Sequence, residues 1–189
     1  MSSNNENDNL NDVSSKVDSK DDNINDDSNI EKITYNFEKW DDLEIDTNLL
    51  RGIYAYGFEN PSPIQKEAIK PIIMKKDLIA QAQSGTGKTA TFTIGALSIV
   101  DTEVKEPQVI ILSPTRELSK QTTAVVNGIG GMMDIVVQTL IGGNSIDEDT
   151  RKLKKSPPHV ITGCPGRIYD MMRRNAFNSK NIKLVVLDE

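Results

Sequence analysis

Residues 82–89, AQSGTGKT, are of types that could bind a phosphate group. Gly85 and Gly87 let the backbone curl around a phosphate and point several N–H groups inward. Lys88 can reach the β- and γ-phosphates, and the Thr89 hydroxyl can ligate Mg²⁺. The remaining predicted nucleotide-binding positions are Ala82, which stands where the usual pattern has glycine, and Gln83, Ser84 and Thr86. The pattern predicts a nucleotide-binding P-loop, and the simpler alternative is a turn that connects two elements.

Two adjacent carboxylates, Asp188 and Glu189, follow the apolar run 184–187. A triphosphate bound by a P-loop needs a second ligand for its metal ion and a group that orients the attacking water. We predict that Asp188 holds Mg²⁺, directly or through water, and that Glu189 polarises the nucleophilic water. Together with Lys88 they form the predicted catalytic set. The alternative is that two acids end a strand and face solvent.

The elements that must position these residues alternate along the chain. Apolar runs at 77–82, 109–114, 134–142, 159–165 and 183–189 predict strands, and helical spacing is found at 46–57, 62–76, 88–100, 116–126, 147–154 and 167–174. Alternating strands and helices predict an α/β fold with a parallel sheet covered on both faces. Ligands of such sheets bind beyond the C-terminal ends of the strands, where the P-loop and the acid pair would then lie.

The charge is distributed unevenly. Residues 1–30 hold eight acids and two lysines, a net charge of −6 that equals the net charge of all 189 residues, so the remainder is neutral. We predict a disordered, acidic, Asn/Asp/Ser-rich tail over 1–33 and a folded lobe over 34–189, because the tail has too few apolar side chains to offset the entropy of ordering it. A neutral lobe can still gather its basic residues on one face and bind nucleic acid.

The cysteine content and the hydropathy pattern limit the cellular locations expected for the protein. Cys164 is the one cysteine, which excludes an internal disulfide and fits a reducing compartment, so a cytoplasmic location is expected and a nuclear one stays open. No apolar stretch is long enough to cross a membrane, and no membrane partner is expected. The single histidine, His159, is interpreted as structural.

Six stretches occur in a fixed order: GFENPSPIQ (57–65), AQSGTGKT (82–89), PTREL (114–118), GG (142–143), CPGR (164–167) and VLDE (186–189). From about Phe37 onward the chain resembles the first lobe of the DEAD-box RNA helicases, and 49–65 is most similar to the initiation factor 4A group within them. The resemblance implies a RecA-like P-loop domain that is incomplete at its C-terminus. It implies ATP and Mg²⁺ as cofactors and RNA as a partner.

The stretch GFENPSPIQ resembles the part of that family that reads adenine. The resemblance implies that the Gln65 amide pairs with the base and that an upstream aromatic residue stacks on it. Trp40 occupies the matching position, and Phe37 is a second candidate. Ser62, Pro63 and Gln65 also make a helix capping box, and an ordinary core contact is the alternative for either aromatic residue.

Three stretches resemble RNA contacts of the family. In PTREL and CPGR a helix start offers backbone N–H groups and a cation to a phosphate; the residues are Pro114, Thr115, Arg116, Pro165, Gly166 and Arg167. Gly142 and Gly143 have no side chains and could let a sugar-phosphate backbone approach closely, and a plain turn is the alternative. Arg116 could equally be a structural ion-pair partner. Cys164 stands where the family usually has threonine, and we expect little of its thiol. Contacts of this kind predict sequence-independent RNA binding directed at the backbone.

In the family a second lobe supplies arginines that reach the γ-phosphate, and these are worth ~10³-fold or more in phosphoryl transfer. We therefore expect that these 189 residues alone neither unwind RNA nor hydrolyse ATP at a useful rate. The resemblance implies a helicase of translation initiation, with scaffold proteins of that process as partners, and the exon-junction branch of the family stays open as an alternative. The alternative is a truncated, non-catalytic module that binds RNA or a partner protein; a P-loop GTPase or kinase is disfavoured because no guanine-reading stretch is present.

Overall fold

The computed structural model describes residues 37–189 and the backbone pairing of one short strand before them. The strands are β1 (Val17–Asp18), β2 (Ile79–Ala80), β3 (Val109–Leu112), β4 (Val137–Leu140), β5 (Val160–Gly163) and β6 (Leu184–Leu187). The helices are α1 (Thr47–Ala55), α2 (Pro63–Ile73), α3 (Lys88–Ile99), α4 (Arg116–Ile129), α5 (Ile146–Lys155) and α6 (Pro165–Arg173). Apart from β1, the predicted tail lies outside the described residues.

A four-stranded parallel sheet in the order β4-β5-β3-β6 forms the centre of the fold. In its register Leu112 of β3 lies between Gly163 of β5 and Leu187 of β6, and Leu140 of β4 pairs with Gly163. The C-terminal ends of the four strands therefore lie side by side, and we call this end of the sheet the strand edge. The predicted α/β class with a parallel sheet is confirmed.

Helices cover both faces of this sheet. Alternate side chains of the strand β3 therefore pack into two separate hydrophobic cores, one on each face. Val109 and Ile111 of β3 pack into a core with buried residues of α1, α2, α3 and α4. Ile110, between them, packs with Leu153 of α5 and Met171 of α6 on the opposite face. Burial of consecutive apolar residues in one strand is the arrangement expected of parallel α/β sheets.

The P-loop strand does not lie where we predicted it. We expected 77–82 in the same sheet as 183–189, but β2 pairs antiparallel with β1 and lies outside the four-stranded sheet. β6 is an edge strand of the four-stranded sheet, and among the described strands it pairs with β3. Ile79 of β2 and both Val185 and Leu187 of β6 are exposed. The P-loop is thus held by helix packing, chiefly of α3 on α2 and α4, rather than by strand pairing with the sheet.

The predicted helices are confirmed to within a few residues at their ends, and local capping explains where several begin. The Thr115 hydroxyl accepts a hydrogen bond from the N–H of Leu118 at 3.2 Å and caps α4. Asp46 caps α1 in the same way. In the part of the chain that the structure describes, no helix is both long and apolar enough to span a bilayer.

Candidate functional site

The P-loop runs from the end of β2 into the first turn of α3. Gly85 and Gly87 adopt the left-handed backbone conformation, with φ of +81° and +97°. A side chain at either position would be strained, which is the physical reason for glycine here. Because α3 begins at Lys88, directly after Gly87, the N–H groups of its first turn face the loop and favour an anion.

The ammonium group of Lys88 lies across the inside of this loop. Its Nζ donates to the carbonyl oxygen of Ala82 at 2.6 Å and to that of Gln83 at 3.1 Å. The Thr86 hydroxyl also donates to the Gln83 carbonyl, at 2.8 Å. None of the described residues hydrogen-bonds the Thr89 hydroxyl, and that side chain is half-buried beside the loop. The loop is therefore closed by its own lysine, whose bonds to carbonyl oxygens a phosphate would replace.

Two residues at the start of α2 hold the P-loop from outside. Ser62 Oγ donates to the Thr86 carbonyl oxygen at 2.8 Å, and Gln65 Nε2 lies 3.5 Å from the Gly87 carbonyl oxygen. Gln65 Oε1 in turn accepts from the N–H of Ser62 at 2.7 Å, which is one half of the predicted capping box. A Cβ atom on Gly87 would lie 2.7 Å from Gln65 Nε2. The Gln65 amide is thus buried against the P-loop; pairing with adenine stays a prediction.

The acid pair lies at the shared strand edge. The backbone N–H of Asp188 donates to the Leu112 carbonyl oxygen at 2.9 Å, which places this residue beside the end of β3. Burial raises the pKa of Asp188 above its ordinary value, and the neighbouring Glu189 carboxylate raises it further. A hydrogen bond from Thr122 and the positive charge of Lys88 lower that pKa, so the ammonium lies within electrostatic reach of the carboxylate.

These groups fit a magnesium ion. Mg²⁺ prefers oxygen ligands and is usually held by one or two carboxylates together with substrate phosphates. Burial and the negative charge of Glu189 destabilise the ionised form of Asp188, and a cation bound to Asp188 would stabilise that form. The Thr89 hydroxyl and the Asp188 carboxylate are the residues that would hold the ion.

A groove opens at the same edge of the sheet between α4 and the loop after β4. It has a volume of ≈ 460 Å³ and is lined by Arg116, Lys120, Thr139, Ile141, Gly142, Gly143 and Asn144. The Arg116 guanidinium lies directly over the glycine pair: a Cβ on Gly142 would be 3.2 Å from its Nη2, and a Cβ on Gly143 2.9 Å from its Nη1. The structure thus brings PTREL and GG together, and the glycines leave the room that the arginine occupies.

Arg167 is fixed in a different environment. Its Nη1 forms an ion pair with Asp149 of α5, and its Nη2 donates to the Asn144 carbonyl oxygen at 2.9 Å. The side chains of Arg167 and Asp149 are 10% and 4% exposed. A direct contact of Arg167 with a phosphate stays a prediction, and the structure shows its guanidinium bound within the protein.

A family model described as DEAD/DEAH box helicase matches residues 62–189. The chain belongs to this family. It is 52% identical over 150 residues to an ATP-dependent RNA helicase FAL1 from Mycosarcoma maydis, covering 79% of this chain and 38% of that protein. It is 49% identical over 162 residues to an ATP-dependent RNA helicase eIF4A from Saccharomyces cerevisiae (strain YJM789), covering 86% and 40%.

The fold agrees with solved DEAD-box proteins. The structure of S. cerevisiae Dbp5 bound to RNA and ADP BeF3 matches with a TM-score of 0.71 at 40% identity, covering 80% of this chain and 38% of that one. A DEAD box protein from Methanococcus jannaschii matches with a TM-score of 0.76 at 32% identity, covering 82% and 42%. The chain therefore spans about two fifths of the length of the relatives it matches.

The predicted adenine-stacking residue lies in the core of this DEAD-box lobe. Trp40 is fully buried, with its ring centroid 5.8 Å from that of Phe37 and 6.4 Å from that of Phe58. Phe37 is buried as well. The structure thus shows both candidates as core residues, and stacking on a base stays a prediction that would require Trp40 to be uncovered.

The remaining predicted RNA contacts of the DEAD-box lobe lie at helix starts along the strand edge. Pro114 and Thr115 precede α4, while Pro165 and Gly166 open α6, where a Cβ on Gly166 would meet no atom within 4 Å. Sequence reasoning missed Lys120. Its position one turn after Arg116 on α4 is the signal that could have identified it, since residues four apart share a helix face.

Proposed function

We propose that this chain is the ATP- and RNA-binding lobe of an ATP-dependent RNA helicase. The observation that carries the proposal is the P-loop at the start of α3, where Gly85 and Gly87 have positive φ and Lys88 Nζ binds the loop carbonyls. Asp188 follows β6 at the C-terminal ends of the strands, where the Arg116 groove also lies. Nucleotide and RNA would therefore bind to neighbouring parts of one edge. That arrangement allows binding of one ligand to affect the other.

For ATP, each residue has one task. The first turn of α3 and Lys88 bind the phosphates, with Lys88 exchanging its carbonyl partners for phosphate oxygens. Thr89 and Asp188 hold Mg²⁺, which when bound neutralises the charge that develops on the phosphates. Glu189 accepts a hydrogen bond from the attacking water and orients it. Ser62 and Gln65 fix the loop carbonyls behind the site.

For RNA, the groove offers two cationic side chains and a stretch of backbone that carries no side chains. Arg116 and Lys120 contact phosphates, and Gly142 and Gly143 allow the sugar-phosphate chain to approach closely. None of these groups reads a base edge, so binding is independent of sequence. The similarity of this chain to S. cerevisiae Dbp5, whose solved structure is bound to RNA and ADP BeF3, supports this assignment.

The biological role we propose is unwinding of short duplexes in translation initiation, in the cytoplasm and with scaffold proteins of that process as partners. The 49% identity to eIF4A supports it.

The test is direct binding by the chain itself. Wild-type protein should bind a fluorescent ATP analogue with Mg²⁺ and a single-stranded oligouridylate, and Lys88→Ala should weaken nucleotide binding at least tenfold while retaining RNA binding. A protein that binds RNA but no nucleotide would instead be a non-catalytic RNA-binding module. RNA-stimulated ATP turnover by the 189 residues alone would contradict our expectation that a second lobe is needed.

A further inference from the structure

A buried carboxylate that the proposed chemistry does not use lies behind the RNA groove. Asp149, in the first turn of α5, is 2% exposed and faces Arg167 of α6. Arg167 is shared between two partners: Nη1 pairs with Asp149, and Nη2 donates to the Asn144 carbonyl oxygen at 2.9 Å. The Arg167 guanidinium thereby links α6 to α5 and to the loop that follows β4.

The carboxylate fixes the direction of that guanidinium. Removing one partner of a buried ion pair leaves an unpaired charge, which is strongly unfavourable, so Arg167 remains on Asp149 as long as the carboxylate is there. Asp149 is itself held, because Gln138 Nε2 of β4 donates to its backbone carbonyl at 3.2 Å. With Nη1 fixed, the planar guanidinium presents Nη2 to Asn144.

The loop held in this way forms one wall of the groove. Asn144 directly follows Gly142 and Gly143, the residues beneath the Arg116 guanidinium. Glycines give the loop backbone wide conformational freedom, so its shape depends on contacts at its ends. The bond from Arg167 to Asn144 is such a contact.

We propose that Asp149 is a positioning residue for RNA backbone binding: it holds Arg167 on the Asn144 carbonyl and so fixes the loop 142–144 opposite Arg116 and Lys120. The inference rests on the RNA-binding part of the proposed function. According to this inference, Arg167 affects RNA binding by holding the loop 142–144 in place. The cations that contact phosphate are Arg116 and Lys120.

The first test compares Asp149→Asn with Asp147→Asn. Both remove one negative charge from the first turn of α5, but Asp147 is exposed, so the pair controls for net charge. Asp149→Asn should accelerate amide hydrogen exchange at 142–145 without RNA present and lower oligouridylate affinity about tenfold, which corresponds to about 1.4 kcal/mol. Asp147→Asn should change neither. Unchanged exchange or unchanged affinity in Asp149→Asn would overturn the proposal.

The second test separates positioning from direct contact. For single strands, each phosphate contact contributes about 0.7 to the slope of log K against log salt. Arg167→Met should lower affinity and leave that slope unchanged, whereas Arg116→Ala should reduce it by about 0.7. A reduced slope in Arg167→Met would mean that Arg167 binds phosphate itself, and the proposal would fail.

Should Asp149→Asn prove unfolded, Asp149→Asn/Arg167→Gln leaves no buried charge and keeps an amide donor for Asn144. This double variant should fold and bind RNA more tightly than Asp149→Asn/Arg167→Met, which also leaves no buried charge at this pair but has no donor for Asn144; equal affinity of the two would overturn the role of the Asn144 bond. A wild-type chain that fails to bind oligouridylate at low salt would instead reject the RNA-binding function, and the inference with it.

Discussion

Burial and the neighbouring Glu189 raise the pKa of the Asp188 carboxylate, and the positive charge of Lys88 partly offsets them, although β2 and β6 share no backbone hydrogen bond. The strand β6 and the helix α3 share one hydrophobic core, because Leu184 and Val186 pack against the core that contains Ile94 and Leu97 of α3. We therefore expect both to act on the same magnesium-bound triphosphate, and their interaction gives the first prediction.

Asp188→Asn should weaken Mg²⁺-dependent ATP binding about tenfold and leave binding in EDTA nearly unchanged, because the amide is a poorer ligand for a hard cation. Titration with a fluorescent ATP analogue at several Mg²⁺ concentrations measures this. Glu189→Gln is the matched control: it removes an adjacent, exposed charge and should retain Mg²⁺-dependent binding. Equal losses in both variants would show that general charge matters rather than metal ligation.

Gly87→Ala should cost more than Gly85→Ala. Both residues have positive φ, so alanine is strained by about 1–2 kcal/mol at either position. At Gly87 the added Cβ also lies 2.7 Å from Gln65 Nε2, while at Gly85 it meets nothing within 4 Å. Urea denaturation and ATP titration of the two variants would check the order, and similar effects would mean that the Gln65 contact is unimportant.

Arg116→Ala and Lys120→Ala should each weaken RNA binding uniformly across sequences, since both cations face the groove and no base edge. Each should reduce the salt slope by about 0.7. Lys180→Ala, in a separate groove with Glu106 and Phe177, is the control and should bind like wild type. An unchanged slope in Lys120→Ala would remove that residue from the interface.

Trp40→Ala should destabilise the chain by about 3–5 kcal/mol, because the ring is fully buried between Phe37 and Phe58. Trp40→Phe keeps an aromatic ring and should lose less. Thermal unfolding and ATP affinity should be measured together. If Trp40→Ala kept full stability and lost only ATP binding, the stacking role would be supported instead.

Stability should fall below neutral pH because of His159. This histidine is fully buried, its Nδ1 accepts from the Val136 N–H at 2.9 Å, and its Nε2 has no hydrogen-bond partner among the described residues. Burial and the Lys105 charge lower its pKa, and a weak interaction with the Thr102 carbonyl does not offset them.

The unfolded chain therefore binds the proton more readily, so stability is present above the ordinary histidine pKa of 6.5 and is lost as pH falls through and below it. A pKa difference of one between the two states is worth about 1.4 kcal/mol. His159→Asn can still accept from Val136 and should flatten the dependence of unfolding free energy on pH between 7 and 5. A wild-type profile as flat as the variant's would contradict this.

Much of the site could be predicted from local sequence because its physics is local. Glycines at 85 and 87 are needed for positive φ whatever surrounds them, and Lys88 follows them directly into α3. The alternation of strands and helices likewise determined a parallel sheet whose strand ends meet at one edge.

Contacts between distant segments were decided by the tertiary structure alone. Neither spacing nor residue type indicated that Trp40 would be enclosed by Phe58, that Arg167 would pair with Asp149, or that β2 would lie outside the main sheet. An arginine can form its ion pairs, and a tryptophan its ring contacts, either with a ligand or within the protein. Only the packing of the folded chain decides between the two. The sequence therefore determined the chemistry of the P-loop and the acid pair, while the folded chain determined which cations remain available for RNA.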